Sequence, residues 1–144
     1  MPDNNYVHAT LVELGGKGVL LLGSSGSGKS DLALRLIENK GAKLVADDVV
    51  RLRKSGDSIY GFAADNICGK LEVRGIGIVD FPYVDKVEIN LAVHLSDIPE
   101  NIERLPLMQK ESILGLEIKK IDLYAKENSA PDKIVVALRQ SSEE

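Results

Sequence analysis

Short apolar runs and alternating stretches dominate the hydropathy pattern of this chain. Residues 18–22 form a continuous apolar run, which is typical of a buried strand. Residues 86–95 alternate between apolar and polar positions, so we expect a strand with one buried face. Residues 6–14 predict a first strand with His8 and Thr10 on one face. Further strands are predicted at residues 43–48, 49–54, 58–63 and 116–125, the middle two forming a hairpin around Gly56.

Helical spacing of apolar residues occurs in two places. Residues 31–38 predict a helix that ends near Gly41, which can adopt the left-handed cap conformation. A second helix is predicted to begin at residues 130–133. Residues 98–110, with two prolines, predict an irregular connection. This order of elements predicts an α/β fold, a mixed sheet with few helices, rather than an alternating β-α arrangement.

A glycine-rich segment separates the strand at residues 18–22 from the first helix. It matches the pattern G-x-x-x-x-G-K-[ST] and comprises Gly23, Ser24, Ser25, Gly26, Ser27, Gly28, Lys29 and Ser30. Backbone N–H groups of such a loop and the following helix N-terminus can surround a polyphosphate. In this pattern the lysine reaches the β- and γ-phosphates, and the serine hydroxyl can bind Mg²⁺. The segment therefore predicts a nucleotide site.

The strand predicted at residues 43–48 ends in two carboxylates. Ligands of open α/β sheets bind beyond the carboxyl ends of strands. An acid at this position, next to a phosphate-binding loop, suits a Mg²⁺-linked aspartate or a general base. Asp47 and Asp48 are therefore candidate catalytic residues, although acids at strand ends can also simply begin a solvated turn.

Residues 71–80 are the second unusual stretch. Gly75 and Gly77 interrupt an apolar run, which predicts a close backbone approach or a sharp bend. Glu72 and Arg74 would share a face if the segment were extended. That pair suits a metal-bound phosphate, but from composition alone a surface ion pair is the favoured interpretation.

Composition narrows the possible classes of protein. The 144 residues suit one domain, and the net charge of −4 gives no general field that would attract nucleic acid. A single cysteine, Cys68, cannot form an internal disulfide, so we expect a reducing, cytoplasmic environment. No apolar run has the length of a membrane span, and we expect no leader peptide at the start of the chain. His94 lies on the polar face of its predicted strand, and we assign it no functional role.

Three segments together resemble a known family. Residues 23–30, 44–48 and 71–78 are similar to the catalytic domain of HPr kinase/phosphorylase, in its short proteobacterial form. The resemblance extends over residues 6–125, so we expect one kinase domain over 1–144, with a C-terminal helix and a frayed tail in 126–144. It implies a P-loop domain whose mixed sheet is like the nucleotide-binding core of phosphoenolpyruvate carboxykinase.

The activity implied by the resemblance is phosphorylation of a serine of the phosphocarrier HPr, with ATP and Mg²⁺. Lys29 corresponds to the lysine that holds the phosphates, and Ser30 and Glu72 correspond to Mg²⁺ ligands. Asp48 corresponds to the acid that accepts the serine proton, and Asp47 to its neighbour that places the metal or the base. The family also removes the phosphate by phosphorolysis, and its members often form hexamers.

Other site residues are implied by the same resemblance. Arg74, Gly75 and Gly77 correspond, together with Glu72, to a segment that the family uses in both the kinase and the phosphorylase reactions. His8 corresponds to a histidine near the active site. Arg104 corresponds to an arginine that stabilises the transferring phosphoryl group.

Two features leave alternatives open. Longer members carry a Pro-Gly-Arg-Asn run linked to phosphorolysis, whereas residues 127–133 here lack it, so retention of the phosphorylase activity stays open. A small-metabolite kinase is a second hypothesis, although such enzymes usually carry an arginine-rich lid and the sequence has no cluster of arginines. A nucleotide-sensing module without transfer activity is the third.

Overall fold

The computed structural model describes residues 5–24, 26–64 and 68–140. Helices and strands do not alternate regularly, because strands greatly outnumber helices in this part of the chain. The helices are α1 (Lys29–Lys40) and α2 (Ala130–Arg139), with a 3₁₀ turn at Pro99–Asn101. The strands are β1 (Asn5–Val7), β2 (Thr10–Leu14), β3 (Lys17–Leu22), β4 (Lys43–Ala46), β5 (Val50–Ser55), β6 (Ser58–Ala63), β7 (Lys70–Val73), β8 (Gly77–Asp80), β9 (Lys86–Ser96), β10 (Gln109–Ile113) and β11 (Leu116–Tyr124).

Strand β9 is the centre of the main sheet. Its first residues pair antiparallel with β6, and its remaining length pairs in parallel with both β3 and β11. The described strands follow the order β1-β5-β6-β9-β3-β2-β4, and β11 and β10 extend the sheet from β9. This mixed sheet confirms the strand-rich α/β fold predicted from the sequence. Because β3 and β11 run parallel to β9, their carboxyl ends meet at one edge.

Both faces of the sheet are covered by apolar residues. On one face, Leu32 and Leu36 of α1 and Ile134 of α2 pack with Leu21 and Val93 of the sheet, and each is fully buried. The other face carries a second cluster that the strands form among themselves. Residues of β2 and β9 are therefore buried on both faces of the sheet. Strands buried in this way need not alternate between apolar and polar residues.

Several local predictions are confirmed. The hairpin β5–β6 turns at Gly56, and α1 ends at Gly41, whose φ of 74° is left-handed. Helix α2 buries Ile134 and Ala137. Residues 141–144, the end of the predicted frayed tail, lie outside the described residues.

The prediction of one strand over residues 6–14 is wrong. A bend at His8 separates β1 from β2, and the two strands then pair with different partners. β1 pairs with β5, whereas β2 pairs with β3 and β4. Thr10 is fully buried rather than on an open face, because both faces of β2 are covered.

Residues 71–80 form a hairpin rather than one extended segment. β7 and β8 pair antiparallel in a separate two-stranded sheet, and Gly75 and Gly77 have positive φ at the turn. This confirms the sharp bend. It also means that Arg74 lies in the turn and does not share a strand face with Glu72. Residues 98–110 are largely irregular, but β10 begins at Gln109, before the predicted end of this connection.

Lysines connect α2 to the sheet below it. The Lys119 ammonium donates to Ala137 O at 3.0 Å and to Gln140 Oε1 at 2.9 Å, and Lys17 Nζ donates to Leu138 O at 3.3 Å. Desolvation by burial lowers the pKa of Lys119. These bonds satisfy carbonyls at the helix C-terminus. Over the described ranges, neither helix has the length and apolarity that crossing a bilayer requires.

Candidate active site

The glycine loop, residues 23–30, joins the carboxyl end of β3 to the start of α1. Gly28 is the N-cap of α1 in the left-handed conformation, with φ 101°, and no side chain caps the first turn. The N–H groups of that turn are therefore available to an anion. Ser25, one of the predicted nucleotide-binding residues, lies outside the described residues. Gly26 has a φ of 81°, and Ser24 accepts a hydrogen bond from Ser27 N at 3.0 Å.

Close packing at Gly23 leaves no room for a side chain. A Cβ there would lie 2.4 Å from Ser27 Oγ and 3.3 Å from Leu95 O. Ser27 itself is buried, and its hydroxyl oxygen has no hydrogen-bond partner among the described residues. A buried hydroxyl without a partner is costly unless a ligand or water satisfies it. The loop thus presents an unsatisfied polar group beside a tight backbone cradle.

Replacing Gly23 with alanine is expected to distort this cradle. Overpacking of this kind costs about 1–3 kcal/mol, so urea denaturation should give a lower free energy of unfolding, and calorimetry should show lost nucleotide affinity. Gly16→Ala in the β2–β3 turn is the control, because a Cβ there meets nothing within 4 Å. Its positive φ alone costs roughly 1–2 kcal/mol. Equal nucleotide affinities for the two variants would contradict the cradle geometry.

The side chain of Lys29 folds back over the loop. Its ammonium donates to Gly23 O at 2.8 Å and to Ser24 O at 3.1 Å. These carbonyls hold the cation at the mouth of the cradle. A phosphate oxygen there would meet a positive charge together with the uncapped helix N-terminus.

Asp47 is the polar centre of the site. Its Oδ1 accepts hydrogen bonds from Ser30 Oγ at 2.8 Å and from Thr10 Oγ1 at 2.9 Å. The contact joins the end of β4 to the first turn of α1, as predicted for an acid beside the glycine loop. A serine hydroxyl and a carboxylate are hard oxygen ligands of the kind that Mg²⁺ prefers. Thr10, fully buried, fixes the orientation of the carboxylate.

Asp48 differs from its neighbour in both conformation and exposure. Its side chain is exposed, and its φ of 75° lies in the left-handed region that non-glycine residues rarely adopt. Asp48 O accepts a hydrogen bond from Ala9 N at 3.2 Å, which brings the exposed His8 alongside this turn. Backbone strain of this type is concentrated at functional sites.

The β7–β8 hairpin approaches α1 from another side. Leu71 is buried in the same cluster as Leu32 and Leu36 of α1. Glu72, the next residue on β7, is exposed, and its side chain makes no hydrogen bond or ion pair within the described part of the chain. The structure thus brings the hairpin to α1, but no hydrogen bond joins the Glu72 side chain to Asp47 or Ser30. Arg74, Gly75 and Gly77 are exposed at the tip of the hairpin.

Arg104 lies in an exposed segment that follows β9. Its side chain makes no recorded hydrogen bond or ion pair with the residues that the structure describes. The segment leaves the sheet after Ser96, at the edge where β3 enters the glycine loop. Arg104 therefore belongs to a segment that begins at this edge of the sheet, and no hydrogen bond or ion pair joins its side chain to the other predicted site residues within the described part of the chain.

Sequence reasoning missed two residues that hold the site together. Thr10 is predicted only to lie on a strand face, although a hydroxyl between apolar neighbours is a signal of a buried hydrogen bond. Arg35 of α1 donates to Ala125 O and to Glu127 O, which fixes the end of β11. A Cβ at Gly28 would lie 3.1 Å from Ala125 Cβ, so this end of β11 supports the loop. No local signal marks Arg35.

The residues present fit a nucleotide phosphate and a divalent cation. The uncapped first turn of α1, the unpartnered Ser27 hydroxyl and the Lys29 ammonium suit phosphate oxygens. Ser30 and Asp47 supply adjacent oxygen donors. In the described ranges, no group of three or more His, Cys, Asp or Glu side chains could hold a metal by itself. A cation at Ser30 and Asp47 would therefore need ligands from elsewhere, such as a bound phosphate.

Known proteins resemble most of this chain. The model of the HPr Serine kinase C-terminal domain matches residues 1–142. An HPr kinase/phosphorylase of Clostridium botulinum is 37% identical over 125 residues, and one of Bordetella pertussis is 38% identical over 128. These matches cover 80% and 81% of this chain but 41% of each relative, so the chain spans about two fifths of their length.

A solved structure has the same fold. The Hpr(Ser) kinase/phosphatase from Coxiella burnetii superposes with a TM-score of 0.82 and 31% sequence identity. The match covers 94% of this chain and 88% of the solved chain.

Proposed function

The chain belongs to the HPr Serine kinase C-terminal domain family, and we propose that it is an ATP-dependent protein kinase acting on a serine of HPr, and that it also removes the phosphate by phosphorolysis. The pair of acids after β4 supports this function most directly. Asp47 is bonded to Ser30 of the glycine loop, and Asp48 stands exposed beside it in a strained turn. A protein that only binds nucleotide has no need of the second acid.

Lys29, the loop N–H groups and the start of α1 bind the phosphates of ATP in this proposal. Ser30 and Asp47 hold Mg²⁺, and Glu72 is the further ligand expected from the β7–β8 hairpin. When bound, the metal offsets the negative charge that develops on the transferred phosphoryl group. The Asp47–Ser30 hydrogen bond supports this assignment, because it already places two oxygen ligands together.

Asp48 performs the proton transfer. Its carboxylate accepts the proton of the HPr serine hydroxyl as the serine oxygen forms its bond to the γ-phosphorus and the bond to the β-γ bridging oxygen breaks. The products are phosphoserine and ADP. The reverse use of the same group explains phosphorolysis: protonated Asp48 returns its proton to the serine oxygen while inorganic phosphate takes the phosphoryl group, giving pyrophosphate.

The remaining residues have supporting roles in the proposal. Arg104 stabilises the transferring phosphoryl group, and His8 acts beside Asp48. Arg74, Gly75 and Gly77, with Glu72, form the segment used in both directions. HPr is the partner protein in this proposal. The nucleotide-binding core is of the phosphoenolpyruvate-carboxykinase type, and we expect assembly into hexamers, as in the family.

A direct assay tests the proposal. The protein is mixed with ATP, Mg²⁺ and HPr, and phosphoserine on HPr is measured by mass spectrometry. In a second arm, phosphorylated HPr is incubated with inorganic phosphate, and pyrophosphate is measured. Phosphoserine formation supports the kinase. ATP binding without transfer favours a sensing module, and turnover with a small alcohol but not with HPr favours a metabolite kinase. Pyrophosphate formation decides the phosphorylase activity separately.

A further inference from the structure

A segment of twelve residues, 97–108, leaves β9 at the edge of the sheet that carries the glycine loop and leads to β10. It includes Arg104, and its middle makes little contact with the rest of the protein. Leu105 and Leu107 are 82% and 87% exposed. The location of Arg104 is therefore determined by how the two ends of the segment are fastened.

The first end is fastened beside the glycine loop. Ser96 Oγ accepts a hydrogen bond from Ile98 N at 3.0 Å, and the 3₁₀ turn closes with Ile102 N donating to Pro99 O at 3.1 Å. The preceding carbonyl, Leu95 O, lies 3.3 Å from where a Cβ on Gly23 would be. This end is thus ordered up to residue 102 and is adjacent to the phosphate cradle.

The second end is fastened by side chains. β10 is an edge strand that pairs only with β11 among the described strands. The Glu111 carboxylate accepts a hydrogen bond from His94 Nε2, and Gln109 Oε1 accepts one from Lys120 Nζ at 3.2 Å. His94 and Glu111 thus connect β10 to β9, the strand from which the segment departs. Both side chains are about one-third exposed.

The position of His94 makes this connection relevant to the site. In the parallel ladder His94 is the partner of Leu22, the residue immediately before Gly23. On its other side it is the partner of Asp122, which lies 3.5 Å from the Lys120 ammonium. The pair therefore fastens β10, the strand into which the Arg104 segment leads, to a residue of β9 that pairs with the backbone entering the glycine loop.

We propose that the His94–Glu111 pair is a positioning device that holds residues 97–108, and with them Arg104, at the phosphoryl-transfer site. The inference rests on the proposed function. An exposed ion pair contributes little to the free energy of unfolding, about 0–1 kcal/mol. The role proposed for this pair is therefore positioning of Arg104 and not stabilisation of the fold. Small misplacement of a catalytic group is far more costly for rate, since a displacement of about 1 Å can cost on the order of 10²-fold.

The test compares Glu111→Ala with Glu111→Gln, which keeps a hydrogen-bond acceptor for His94. Glu111→Ala is expected to lower kcat for HPr phosphorylation by about 10- to 100-fold with little change in KM for ATP, and Glu111→Gln should recover most of the loss. Asp132→Asn is the control, because it weakens the Lys40–Asp132 pair between the two helices, away from the site. That variant should keep the kcat of the unmodified protein.

A double-mutant cycle separates positioning from general destabilisation. If the pair acts through Arg104, then Glu111→Ala should lower kcat little further once Arg104→Ala is present. Losses that simply multiply would overturn the proposal.

Amide hydrogen exchange provides a readout that needs no activity. Glu111→Ala should speed exchange at residues 102–111, whereas Asp132→Asn should leave it unchanged. Unchanged exchange in Glu111→Ala would refute the fastening itself. Failure of the unmodified protein to phosphorylate HPr would instead overturn the proposed function, and the exchange result would still decide whether the pair holds the segment.

Discussion

Asp48→Asn is expected to slow phosphoryl transfer to HPr by about 10²–10⁴-fold, the contribution typical of a general base. Asparagine has the same size as aspartate and also tolerates the left-handed conformation, so the turn should be retained. Lys29, Ser30 and Asp47 are untouched, and ATP affinity should therefore stay nearly constant. The measurements are single-turnover transfer by mass spectrometry and ATP binding by calorimetry. Full turnover by this variant would remove Asp48 from the mechanism.

Asp48→Gly is the companion variant, because it separates the effect of backbone strain at this turn from the loss of the carboxylate. Glycine adopts positive φ without steric cost, whereas another residue in this region costs roughly 1–2 kcal/mol. We therefore expect the glycine variant to be at least as stable as the unmodified protein in urea denaturation, although it has lost the carboxylate. A more stable but inactive protein would indicate that the strained turn is kept for function.

Much of the fold could be predicted because local rules decide it. The glycine loop, the Gly41 cap and the Gly56 hairpin each depend on the conformational freedom of glycine within a few residues of chain. The break at His8 could not be predicted in this way. It arises because β1 pairs with β5 while β2 lies between β3 and β4, and such distant partners leave no mark on the alternation of residues 6–14.

The candidate site was predicted as a set of residues but not as an arrangement. The order of strand and acids predicted Asp47 and Asp48 beside the loop, and the resemblance implied different roles for them, but neither indicated how their contacts differ. That difference arises because Thr10 approaches from β2 and donates a hydrogen bond to the carboxylate of Asp47. The His94–Glu111 pair was missed for a similar reason, since it forms across strands that are separated along the chain.

Asp47→Ala is expected to damage both stability and metal use, unlike any change at Asp48. It leaves the fully buried Thr10 hydroxyl and the Ser30 hydroxyl without their acceptor. An unsatisfied buried hydroxyl costs about 1–3 kcal/mol, so urea denaturation should show a loss of that size. The variant should also need far more Mg²⁺ for half-maximal transfer, because one of two adjacent protein ligands is gone.

Asp47→Asn distinguishes the two effects, because the amide oxygen can still accept from Thr10 and Ser30. Stability should then remain close to that of the unmodified protein, whereas the Mg²⁺ requirement should stay high, since the negative charge is absent. The comparison works only if Asp47 serves the metal and Asp48 serves the proton. Asn variants of both residues with the same Mg²⁺ dependence would contradict this division and would place the two carboxylates in one shared role.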